Sequence, residues 1–409
     1  MRGDMYLACS SDEKIVERAE YGGAVTSLLK FALESKTVDA VLSVTKRNGN
    51  RFDAIPTLII DPDKIIDTAG ALHCASPNIA RYLKEYLDGA FNMKVALTCK
   101  PCDARAIIEL VKRTQLNMEN LILIGLNCTG TFSPVVARQM FQEEFKVDPD
   151  DVREEDIEDS KLIIKLKDGT EKEKDLAELE EKGLGRRENC RRCEINIPIM
   201  ADIACGKWGV SDKKLTFIEV CSQKGADFIE KAIEAGSIKV EKPDSTAIET
   251  RRRKDEEAIE LAKKWQERDF ASLRKMSTEE KFRYWSEQFN QCIKCYGCRD
   301  ACPICYCKDC SLEADRELVK SGEVPPNMLF PMVRTIHVID SCVNCGQCQD
   351  ACPSEVPLSR LIHMLNTELS VIFNYQSGMD VNCLPPLRSI TDEELRMEGV
   401  ELSFIDQFK

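Results

Sequence analysis

Two copies of one cysteine pattern constrain this chain more than any other feature. The pattern Cys-x-x-Cys-x-x-Cys-x-x-x-Cys-Pro begins at Cys292 and again at Cys342. A 4Fe–4S cluster takes four thiolates, and in a fold with two clusters the cysteine before the proline serves the cluster of the other copy. The spacing therefore predicts two clusters in a ferredoxin-like module. The predicted ligand sets are Cys292, Cys295, Cys298 and Cys352 for one cluster, and Cys302, Cys342, Cys345 and Cys348 for the other.

Zinc is the main alternative metal for cysteines so closely spaced. Structural zinc sites use two separate pairs of cysteines, not runs of four that end in proline. A third group lies between the two runs, at Cys305, Cys307 and Cys310. These thiols either bind additional metal, with Cys383 as a fourth ligand, or pack as small apolar side chains.

Charge and composition limit the partners and the compartment. The chain has 409 residues, 21 cysteines and a net charge of −13. Nucleic acid is not expected as a partner, because a phosphate backbone is held by clustered lysine and arginine. No apolar run approaches the roughly 20 residues that span a bilayer, and the N-terminus lacks the apolar core of a signal peptide. We expect a cytoplasmic protein of an anaerobic cell, without direct membrane insertion, whose cysteines bind metal instead of forming disulfides.

The pattern of apolar and charged segments divides the chain into four parts. Residues 1–240 alternate β-rich and helical patterns, which is typical of an α/β domain with a largely parallel sheet. Residues 241–288 are predicted to form a charged helical connector, with the basic run Arg251–Lys254 on a solvated helix face. Residues 289–368 form the α+β ferredoxin-like domain, and residues 369–409 are predicted to be a docking tail.

Six strands and three helices stand out within the α/β part. The predicted strands are Ala40–Val44, Thr57–Ile60, Val95–Thr98, Leu121–Leu126, Leu162–Leu166 and Leu215–Val220. The predicted helices are Ala24–Leu33, Ala104–Val111 and Val135–Phe145. The helix at residue 24 follows Gly22-Gly23, and backbone amides at such a helix start suit a phosphate group. An ordinary helix entry explains the two glycines equally well.

More cysteines gather near the ends of predicted strands in this α/β part. Cys102 and Cys128 each closely follow a predicted strand, and the carboxyl ends of parallel strands usually line the ligand site of an open sheet. With Cys190, Cys193 and Cys205, they indicate a further metal site, but spacing alone does not choose its ligands.

Two alternatives remain open for this second group of cysteines. Cys99 and Cys102 fit a thioredoxin-like redox pair between a strand and a helix. Cys190 and Cys193 fit one half of a zinc site. The three histidines show no pattern that predicts catalysis.

Five motifs follow one another across residues 20–240: Gly22-Gly23-Ala24-Val25-Thr26-Ser27, Pro101-Cys102-Asp103-Ala104-Arg105-Ala106, Gly125-Leu126-Asn127-Cys128, Cys190-x-x-Cys193 and Ala201-Asp202-Ile203. In these ordered motifs the chain resembles the beta subunits of coenzyme F420-dependent hydrogenases and dehydrogenases. This resemblance implies an FAD, one 4Fe–4S cluster and hydride exchange with F420 as substrate.

The resemblance also implies particular site residues. Its cluster ligands are Cys102, Cys128, Cys190 and Cys193, with Cys205 competing for one place. The implied cofactor contacts are Gly22, Gly23, Thr26, Ser27, Lys100 and Arg105. The family usually has a glycine and a small residue before Pro-Cys, where this chain has Cys99 and Lys100. Lys100 is expected to pair with a phosphate or a flavin carbonyl.

The fused ferredoxin-like module favours the formate dehydrogenase members of the family over the hydrogenase members. That resemblance implies an alpha subunit carrying molybdenum or tungsten, and heterodisulfide reductase as a further partner. Electrons would pass between the alpha subunit, three 4Fe–4S clusters, FAD and F420. The alternatives are an electron relay without a substrate site, an F420 hydrogenase beta subunit, or a related F420- or ferredoxin-linked flavoenzyme.

Overall fold

The computed structural model describes residues 2–75, 77–211, 214–307, 309–313, 316, 324 and 327–388. The strands are β1 (Met5–Ser10), β2 (Ala40–Lys46), β3 (Ala54–Ile59), β4 (Val95–Cys99), β5 (Leu121–Leu126), β6 (Val152–Glu158), β7 (Lys161–Leu166), β8 (Glu171–Asp175), β9 (Ile203–Gly206), β10 (Thr216–Val220) and β11 (Ile238–Glu241).

The helices follow the same chain order. They are α1 (Glu13–Arg18), α2 (Ala24–Glu34), α3 (Ala80–Tyr86), α4 (Pro101–Val111), α5 (Pro134–Glu143), α6 (Leu176–Glu181), α7 (Glu188–Arg191), α8 (Gln223–Glu234), α9 (Ser245–Lys275), α10 (Thr278–Phe289), α11 (Gly297–Asp300), α12 (Leu329–Ile336), α13 (Gln347–Asp350) and α14 (Leu358–Ile372). All six strands and all three helices that the sequence predicts are confirmed, with ends that differ by a few residues.

An eight-stranded sheet forms the centre of the α/β part, in the order β11-β1-β10-β9-β5-β4-β2-β3. Within this sheet, only the four adjacent strands β9, β5, β4 and β2 are parallel to one another. The strands on either side pair in antiparallel fashion. The prediction of a largely parallel sheet is therefore wrong at both edges. Between β2 and β3 the reason is length: residues 47–53 are too few for the crossover of a dozen or more residues that a parallel pair needs.

The register of the parallel strands brings three loops to one edge of the sheet. Cys99 at the end of β4 lies opposite Gly125 in β5, and Leu126 at the end of β5 lies opposite Cys205 in β9. Because these strands end at the same level, the segments that follow them leave the sheet side by side. The loops that carry Cys102 and Cys128 therefore share the carboxyl edge.

A second, three-stranded antiparallel sheet, β6-β7-β8, is formed by the part of the chain between β5 and β9. Its inner face packs against α5 and α6 in a separate core that includes Phe141, Leu162, Ile164 and Leu179. Strand β6 also carries Asp156, whose side chain reaches the carboxyl edge of the main sheet. This small sheet therefore forms one wall of the cleft described below.

One hydrophobic core joins the α/β part to the C-terminal helices. Ile107 and Leu110 of α4 belong to the same buried cluster as Phe270 of α9, Phe289 of α10 and Leu361 of α14. Burying apolar surface between helices in this way stabilises their relative arrangement. The division of the chain into four domains stays a prediction, since a shared core crosses its boundaries.

The predicted helical connector consists of α9 and α10. Its basic run behaves unevenly: Arg252 and Arg253 are exposed on α9, as the sequence predicts, whereas Arg251 is buried. Arg251 donates to Glu219 at 2.9 Å and its guanidinium lies over the ring of Phe217, 4.7 Å from the centroid. The prediction of a solvated face is thus wrong for Arg251, because this side chain attaches α9 to β10.

The internal repeat of the cysteine-rich module is visible in its backbone. Lys294 and Asn344 both have positive φ, +55° and +52°. The amide of each donates to the sulfur of the first cysteine of its run, Cys292 or Cys342, at 3.4 Å. Each run then continues into a one-turn helix, α11 or α13. The two runs therefore fold as equivalent loops around their thiols.

The start of the predicted docking tail packs against α4. The carboxylate of Glu109 accepts hydrogen bonds from the Tyr375 hydroxyl and the Gly378 amide, each at 2.6 Å. Residues 389–409 of the predicted tail lie outside the described residues. In the described part of the chain, no helix is both long enough and apolar enough to cross a membrane.

Candidate cluster and cofactor sites

The two cysteine runs surround two separate cavities. The outer cavity is lined by the outer set of thiols, Cys292, Cys295, Cys298 and Cys352. The middle cavity is lined by the middle set, Cys302, Cys342, Cys345 and Cys348. Each cavity thus takes three thiols from one run and the fourth from the other, in the grouping that the sequence spacing predicts. That these thiols hold clusters stays a prediction.

The arrangement of the thiols suits a cluster better than a single ion. Among the described residues, no three His, Cys, Asp or Glu side chains converge closely enough to hold one metal ion. In a 4Fe–4S cluster each thiolate binds a different iron, so the thiols stand apart around the cube. Backbone amides donate to the sulfurs of Cys292, Cys295 and Cys342, each at 3.4 Å. Such bonds favour negative charge on a ligating sulfur.

Four cysteines of the α/β part form an inner set at the carboxyl edge of the sheet: Cys102, Cys128, Cys190 and Cys193. Burial and the charge of Asp103 raise the pKa of the Cys102 thiol, and Cys128 and Cys193 add to the rise. Burial also raises the pKa of Cys128 to about 12, with contributions from Cys190 and Cys193. Backbone contacts bring these loops together: the Cys128 amide donates to the Asn196 carbonyl at 2.9 Å, and the Cys193 amide donates to the Cys190 carbonyl at 3.2 Å. This neighbourhood agrees with the ligand set that the family resemblance implies. Cluster binding by the inner set stays a prediction.

Cys205 lies in β9, where it packs into the core and also lines, together with Cys128, the cavity described below. Burial raises the pKa of its thiol to about 12, Arg251 lowers it and Cys221 adds to the rise, and no thiol of the inner set contributes to that shift. The choice of Cys190 and Cys193 over Cys205 as ligands stays a prediction.

The thioredoxin-like alternative is not supported by the environment of its two cysteines. Cys99 is buried at the end of β4, and burial holds the pKa of its thiol well above the usual range. The same holds for Cys102. A reactive redox pair needs a lowered thiol pKa, because the thiolate is the nucleophile.

The three thiol sets follow one another through the molecule. Burial raises the pKa of Cys345 in the middle set, and Cys102 of the inner set is the next contributor. Cys348 of the middle set is affected in the same way by Cys298 of the outer set. Contacts give the same order: Arg187, three residues before Cys190, donates to the Cys345 carbonyl at 3.0 Å, and Arg334 lines both the middle and the outer cavity. The middle set therefore lies between the other two.

A cavity opens at the carboxyl edge of the parallel strands. Its volume is about 290 Å³, and a second, more open cavity of about 820 Å³ adjoins it at Glu20 and Gly70. Protein ligand sites commonly measure ~300–1,000 Å³, so the two together offer space for a dinucleotide and a second ring system. Four predicted site residues line the first cavity: Gly23, Thr26, Lys100 and Cys128.

Lys100 keeps its charge at the wall of this cavity. Its ammonium group lies 2.7 Å from the Asp103 carboxylate and donates to the Pro77 carbonyl at 3.0 Å. Burial lowers the pKa of Lys100, but Asp103 and the nearby thiols of Cys102 and Cys128 together raise it by more, so the side chain stays protonated. The expected contact with a phosphate or a flavin carbonyl stays a prediction.

Two other predicted cofactor contacts have packing roles. A Cβ atom added to Gly22 would come within 2.8 Å of the Lys214 carbonyl oxygen, so glycine is needed for close approach to the neighbouring loop. The Ser27 hydroxyl lies 2.5 Å from the Ser10 hydroxyl and both are buried. Neither Gly22 nor Ser27 lines the cavity, and direct cofactor contact by either residue stays a prediction.

Arg105, another predicted cofactor contact, is directed away from the cavity. Its side chain leaves α4 towards the C-terminal module, where Nε donates to the Ser377 carbonyl at 2.7 Å and Nη1 to the Val343 carbonyl at 3.3 Å. Because α4 begins at the cavity and residue 105 lies one turn later, the helix carries Arg105 away from it. Its role is to join the helix to the module and the tail.

A polar network in the cavity wall was missed by the sequence analysis. The Tyr21 hydroxyl donates to Asp156 at 2.9 Å, Lys207 also donates to that carboxylate, and Lys207 donates to the Ile157 carbonyl at 2.7 Å. Burial raises the pKa of Asp156, but Lys207, His73 and Tyr21 together lower it by more, so the carboxylate stays ionised. Tyr21 directly precedes Gly22 and Gly23, and its place beside this motif could have pointed to it. Asp156 lies in a strand with no motif.

Glu20 occupies the junction of the two cavities. Burial and the nearby charge of Asp156 raise its pKa to about 7. A carboxyl group with such a pKa exchanges its proton near neutral pH. This residue is a candidate for proton exchange at the site, and no motif in the sequence predicts it.

The third cysteine group lies next to the middle cavity. Burial raises the pKa of Cys305 to about 11, with contributions from Cys302, Cys307 and Cys310. Cys383, the fourth ligand expected for additional metal, is exposed. The choice between additional metal and simple packing stays open for this group.

Family models describe a large part of the chain. The model for the coenzyme F420 hydrogenase/dehydrogenase beta subunit N-terminal region matches residues 5–81, and the model for the C terminus of the same subunit matches residues 92–246. The cavity and the inner thiol set both lie within these matches.

Two curated relatives align with nearly the whole chain. The F420-dependent formate dehydrogenase subunit beta of Methanocaldococcus jannaschii is 45% identical over 94% of this chain and 98% of its own length. The F420-dependent formate dehydrogenase 1 subunit beta of Methanococcus maripaludis is 42% identical over 95% of this chain and 98% of its own length. The coenzyme F420 hydrogenase subunit beta of Methanococcus voltae is 28% identical over 53% of this chain.

A solved structure shares the fold. A chain of the F420-reducing NiFe hydrogenase complex from Methanosarcina barkeri superposes with a TM-score of 0.58 at 19% identity, covering 66% of this chain and 94% of that one. Together with the two near-full-length relatives, these matches are decisive: the chain belongs to the coenzyme F420 hydrogenase/dehydrogenase beta-subunit family.

Proposed function

We propose that this chain is the F420-reacting, electron-transferring beta subunit of a formate dehydrogenase. It passes electrons between three 4Fe–4S clusters, an FAD and coenzyme F420, which is its substrate. Formate oxidation itself takes place on a partner alpha subunit that carries molybdenum or tungsten. The chain is then an oxidoreductase subunit whose own chemistry is hydride exchange with F420.

One observation carries this proposal: Cys128 belongs both to the inner thiol set and to the lining of the cavity. A cluster held by the inner set would therefore border directly on a cofactor in that cavity. From there, the middle and outer sets continue the series towards the far end of the C-terminal module. Such a series is what a path for single electrons requires.

The residues of the cavity fit a flavin dinucleotide. FAD supplies the conversion between single electrons, which clusters carry, and a hydride, which F420 exchanges. The N-terminus of α2, with Val25 and Thr26 in the lining, presents backbone amides that suit a phosphate. Lys100 adds a positive charge to the wall of the same cavity.

Three further side chains would hold the ring systems in place. The ionised Asp156 fixes Lys207 and Tyr21, so the polar wall is arranged before any ligand binds. Preorganised donors and acceptors of this kind position a bound ring without a cost of reorganisation. Glu20, at the junction of the two cavities, would hold or release a proton beside the reacting rings.

The length of the alignments favours formate as the electron source. The two formate dehydrogenase relatives align over more than nine-tenths of this chain, whereas the hydrogenase beta subunit of Methanococcus voltae aligns over 53% of it. A hydrogenase beta subunit, with hydrogen as the source, is the second candidate, because its match includes the cavity. Heterodisulfide reductase is a further partner that we propose for the assembled enzyme.

The experiment is anaerobic purification of the full chain, followed by flavin analysis, iron analysis and an assay of F420 reduction by reduced viologen. We expect one FAD, about twelve iron atoms from three clusters of four, and F420 turnover. Iron without flavin would contradict the proposal and support a simple electron relay. Flavin without F420 turnover would indicate a related flavoenzyme with another substrate.

The electron source needs a separate test. Affinity purification of the tagged chain from its own cells should bring down a molybdenum- or tungsten-containing subunit, and the complex should reduce F420 with formate. If the partner contained nickel and the complex used hydrogen instead, the hydrogenase alternative would replace our proposal.

A further inference from the structure

One buried guanidinium stands between the outer and middle cavities. Arg334, on α12, lines both of them and is 5% exposed. Its Nη2 donates to the backbone carbonyl of Cys298 at 3.0 Å. The groups that act on its charge include Cys298 of the outer set and Cys302 of the middle set. Arg334 is therefore a cation shared by two thiol sets.

Arg334 has no carboxylate partner in the described part of the chain. Burial lowers the pKa of its guanidinium, and the groups that raise it are the thiols of Cys302, Cys305 and Cys298. Its Nε is buried and meets no hydrogen-bond acceptor among the described residues. A buried cation is costly unless an anion balances it. The two cavities that Arg334 lines are the places where that anion would sit.

A 4Fe–4S cluster with four thiolates is such an anion, and its sulfides accept N–H bonds. Cluster potentials depend on net charge, on hydrogen bonds to the sulfurs and on solvent exposure. Reduction adds one negative charge, so a nearby cation stabilises the reduced form more than the oxidised form. In a buried site with a low effective dielectric constant, this preference is weakly screened.

The gap between the middle and inner sets also contains cations. Arg187 donates to the Cys345 carbonyl at 3.0 Å and lies near Cys190, but it is paired with Asp350. Arg105 donates to the Val343 carbonyl, next to Cys342 of the middle set. Its charge lowers the thiol pKa of Cys342 and that of Cys193 in the inner set. The middle set thus has buried arginines on both sides.

We propose that Arg334 is an electrostatic positioning residue that raises the reduction potentials of the outer and middle clusters together. With Arg105 on its other side, the middle cluster becomes the most easily reduced of the three. It can then hold one electron until a second arrives for the two-electron step at the flavin. This inference rests on the proposed function, because it requires that the three thiol sets hold clusters.

The test is a redox titration of the anaerobically purified full chain, followed by low-temperature EPR of the reduced clusters. In Arg334→Gln we expect two of the three signals to shift to lower potential, each by at least tenfold in its reduction equilibrium, equivalent to 59 mV for one electron. The third signal should not move. Arg334→Lys keeps the charge, so its reduction potentials should lie close to those of wild type.

Two further variants identify the clusters and control for general effects. Arg105→Gln should lower the potentials of the middle and inner clusters, so that one signal alone, that of the middle cluster, moves in both glutamine variants. Arg283→Gln removes an exposed arginine of α10 that pairs with Glu279, and should move none. If Arg334→Gln lost its iron, Arg334→Met, which keeps the length of the side chain without its charge, would be titrated in its place.

The outcomes separate the two proposals. Wild-type protein with about twelve iron atoms, but with potentials that Arg334→Gln leaves unchanged, would overturn the role of Arg334 and leave the proposed function intact. A uniform shift of all three signals would also overturn it, because the cation lies at one gap only. Wild-type protein without clusters would overturn the proposed function and this inference together.

Discussion

Asn189 and Asn344 each donate a side-chain hydrogen bond to the backbone carbonyl of the other, at 3.1 and 2.9 Å. Asn189 directly precedes Cys190 of the inner set, and Asn344 directly precedes Cys345 of the middle set. Both side chains are buried. This reciprocal pair therefore fixes the separation of two candidate clusters, and the rate of electron transfer falls steeply with such a separation.

The approach of these two loops depends on Gly346. Its φ is +73°, and an added Cβ would come within 2.1 Å of the Asn189 amide oxygen. We expect Gly346→Ala to destabilise the protein by ~2–4 kcal/mol, from backbone strain and overpacking combined, and to slow F420 reduction by viologen. The measurements are urea unfolding and the F420 assay.

Gly183→Ala is the matched control for that change. Gly183 has a similar φ of +75° but nothing within 4 Å of the added atom. It should cost only the backbone strain, ~1–2 kcal/mol, and leave F420 reduction unchanged. Equal losses in the two variants would mean that the contact with Asn189 does not matter.

The inner thiol set can be distinguished from Cys205 by iron content. Cys102→Ser should remove one cluster, so that iron falls from about twelve to about eight atoms per chain, and F420 reduction should stop. Cys205→Ser should keep all of its iron, because the groups that act on the Cys205 thiol are Arg251 and Cys221 and not the thiols of the inner set. Loss of iron in Cys205→Ser with retention in Cys102→Ser would reverse our assignment.

Glu20 should make stability fall as pH rises. Its folded pKa of about 7 lies above the usual 4.5, so between these values the folded chain holds a proton that the unfolded chain has lost. Linkage then lowers the free energy of unfolding as pH rises from 4.5 to 7, by up to ~3 kcal/mol. Glu20→Gln should abolish this part of the pH dependence.

Unfolding by urea at pH 5.5 and pH 8 checks the prediction for Glu20. The variant should gain about 3 kcal/mol over wild type at pH 8 and less than half of that at pH 5.5. The exposed Glu17→Gln serves as the control and should change neither value much. A variant with the same pH dependence as wild type would refute the prediction.

The tail should be released by changes at Glu109. This buried carboxylate accepts from Arg113 at 2.6 Å and Lys112 at 3.0 Å, in addition to Tyr375 and Gly378 of the tail. Glu109→Ala removes the carboxylate that lies between two buried cations and should cost ~3–5 kcal/mol. Tyr375→Phe removes the hydroxyl that donates to Glu109 and accepts from Lys112, and should cost ~1–3 kcal/mol.

Limited proteolysis and urea unfolding measure the effect on the tail. Cleavage after residue 372 should become faster in Tyr375→Phe and faster still in Glu109→Ala. Tyr86→Phe removes the hydroxyl of an exposed tyrosine and should match wild type. Unchanged cleavage in Glu109→Ala would show that the tail is held by other contacts.

Features that depend on short stretches of chain were predictable. The spacing of each cysteine run limits where its thiols can reach, so the grouping of Cys302 with Cys342, Cys345 and Cys348 followed from local geometry. The strands that end before Cys102 and Cys128 were recognisable as apolar segments. Since parallel strands share a carboxyl edge, their loops were expected to meet.

The positions of single side chains on helices were less predictable. Arg105 stands in a family motif beside Cys102, yet it faces the C-terminal module because α4 turns it away from the cavity. Arg251 stands in a charged run, yet it is buried against Glu219 and Phe217. In both cases the neighbouring sequence is compatible with either face, and packing of the whole helix chose between them.

The sequence by itself determined the thiol sets, the strands beside them and the family. Only the tertiary structure decided the order of the three sets, the contact between Asn189 and Asn344, and the place of Arg334 between two cavities. The physical reason is the range of the interactions. Ligand loops and strands depend on neighbours in the chain, whereas these contacts join segments that meet only after a shared core has packed α4, α9, α10 and α14 together.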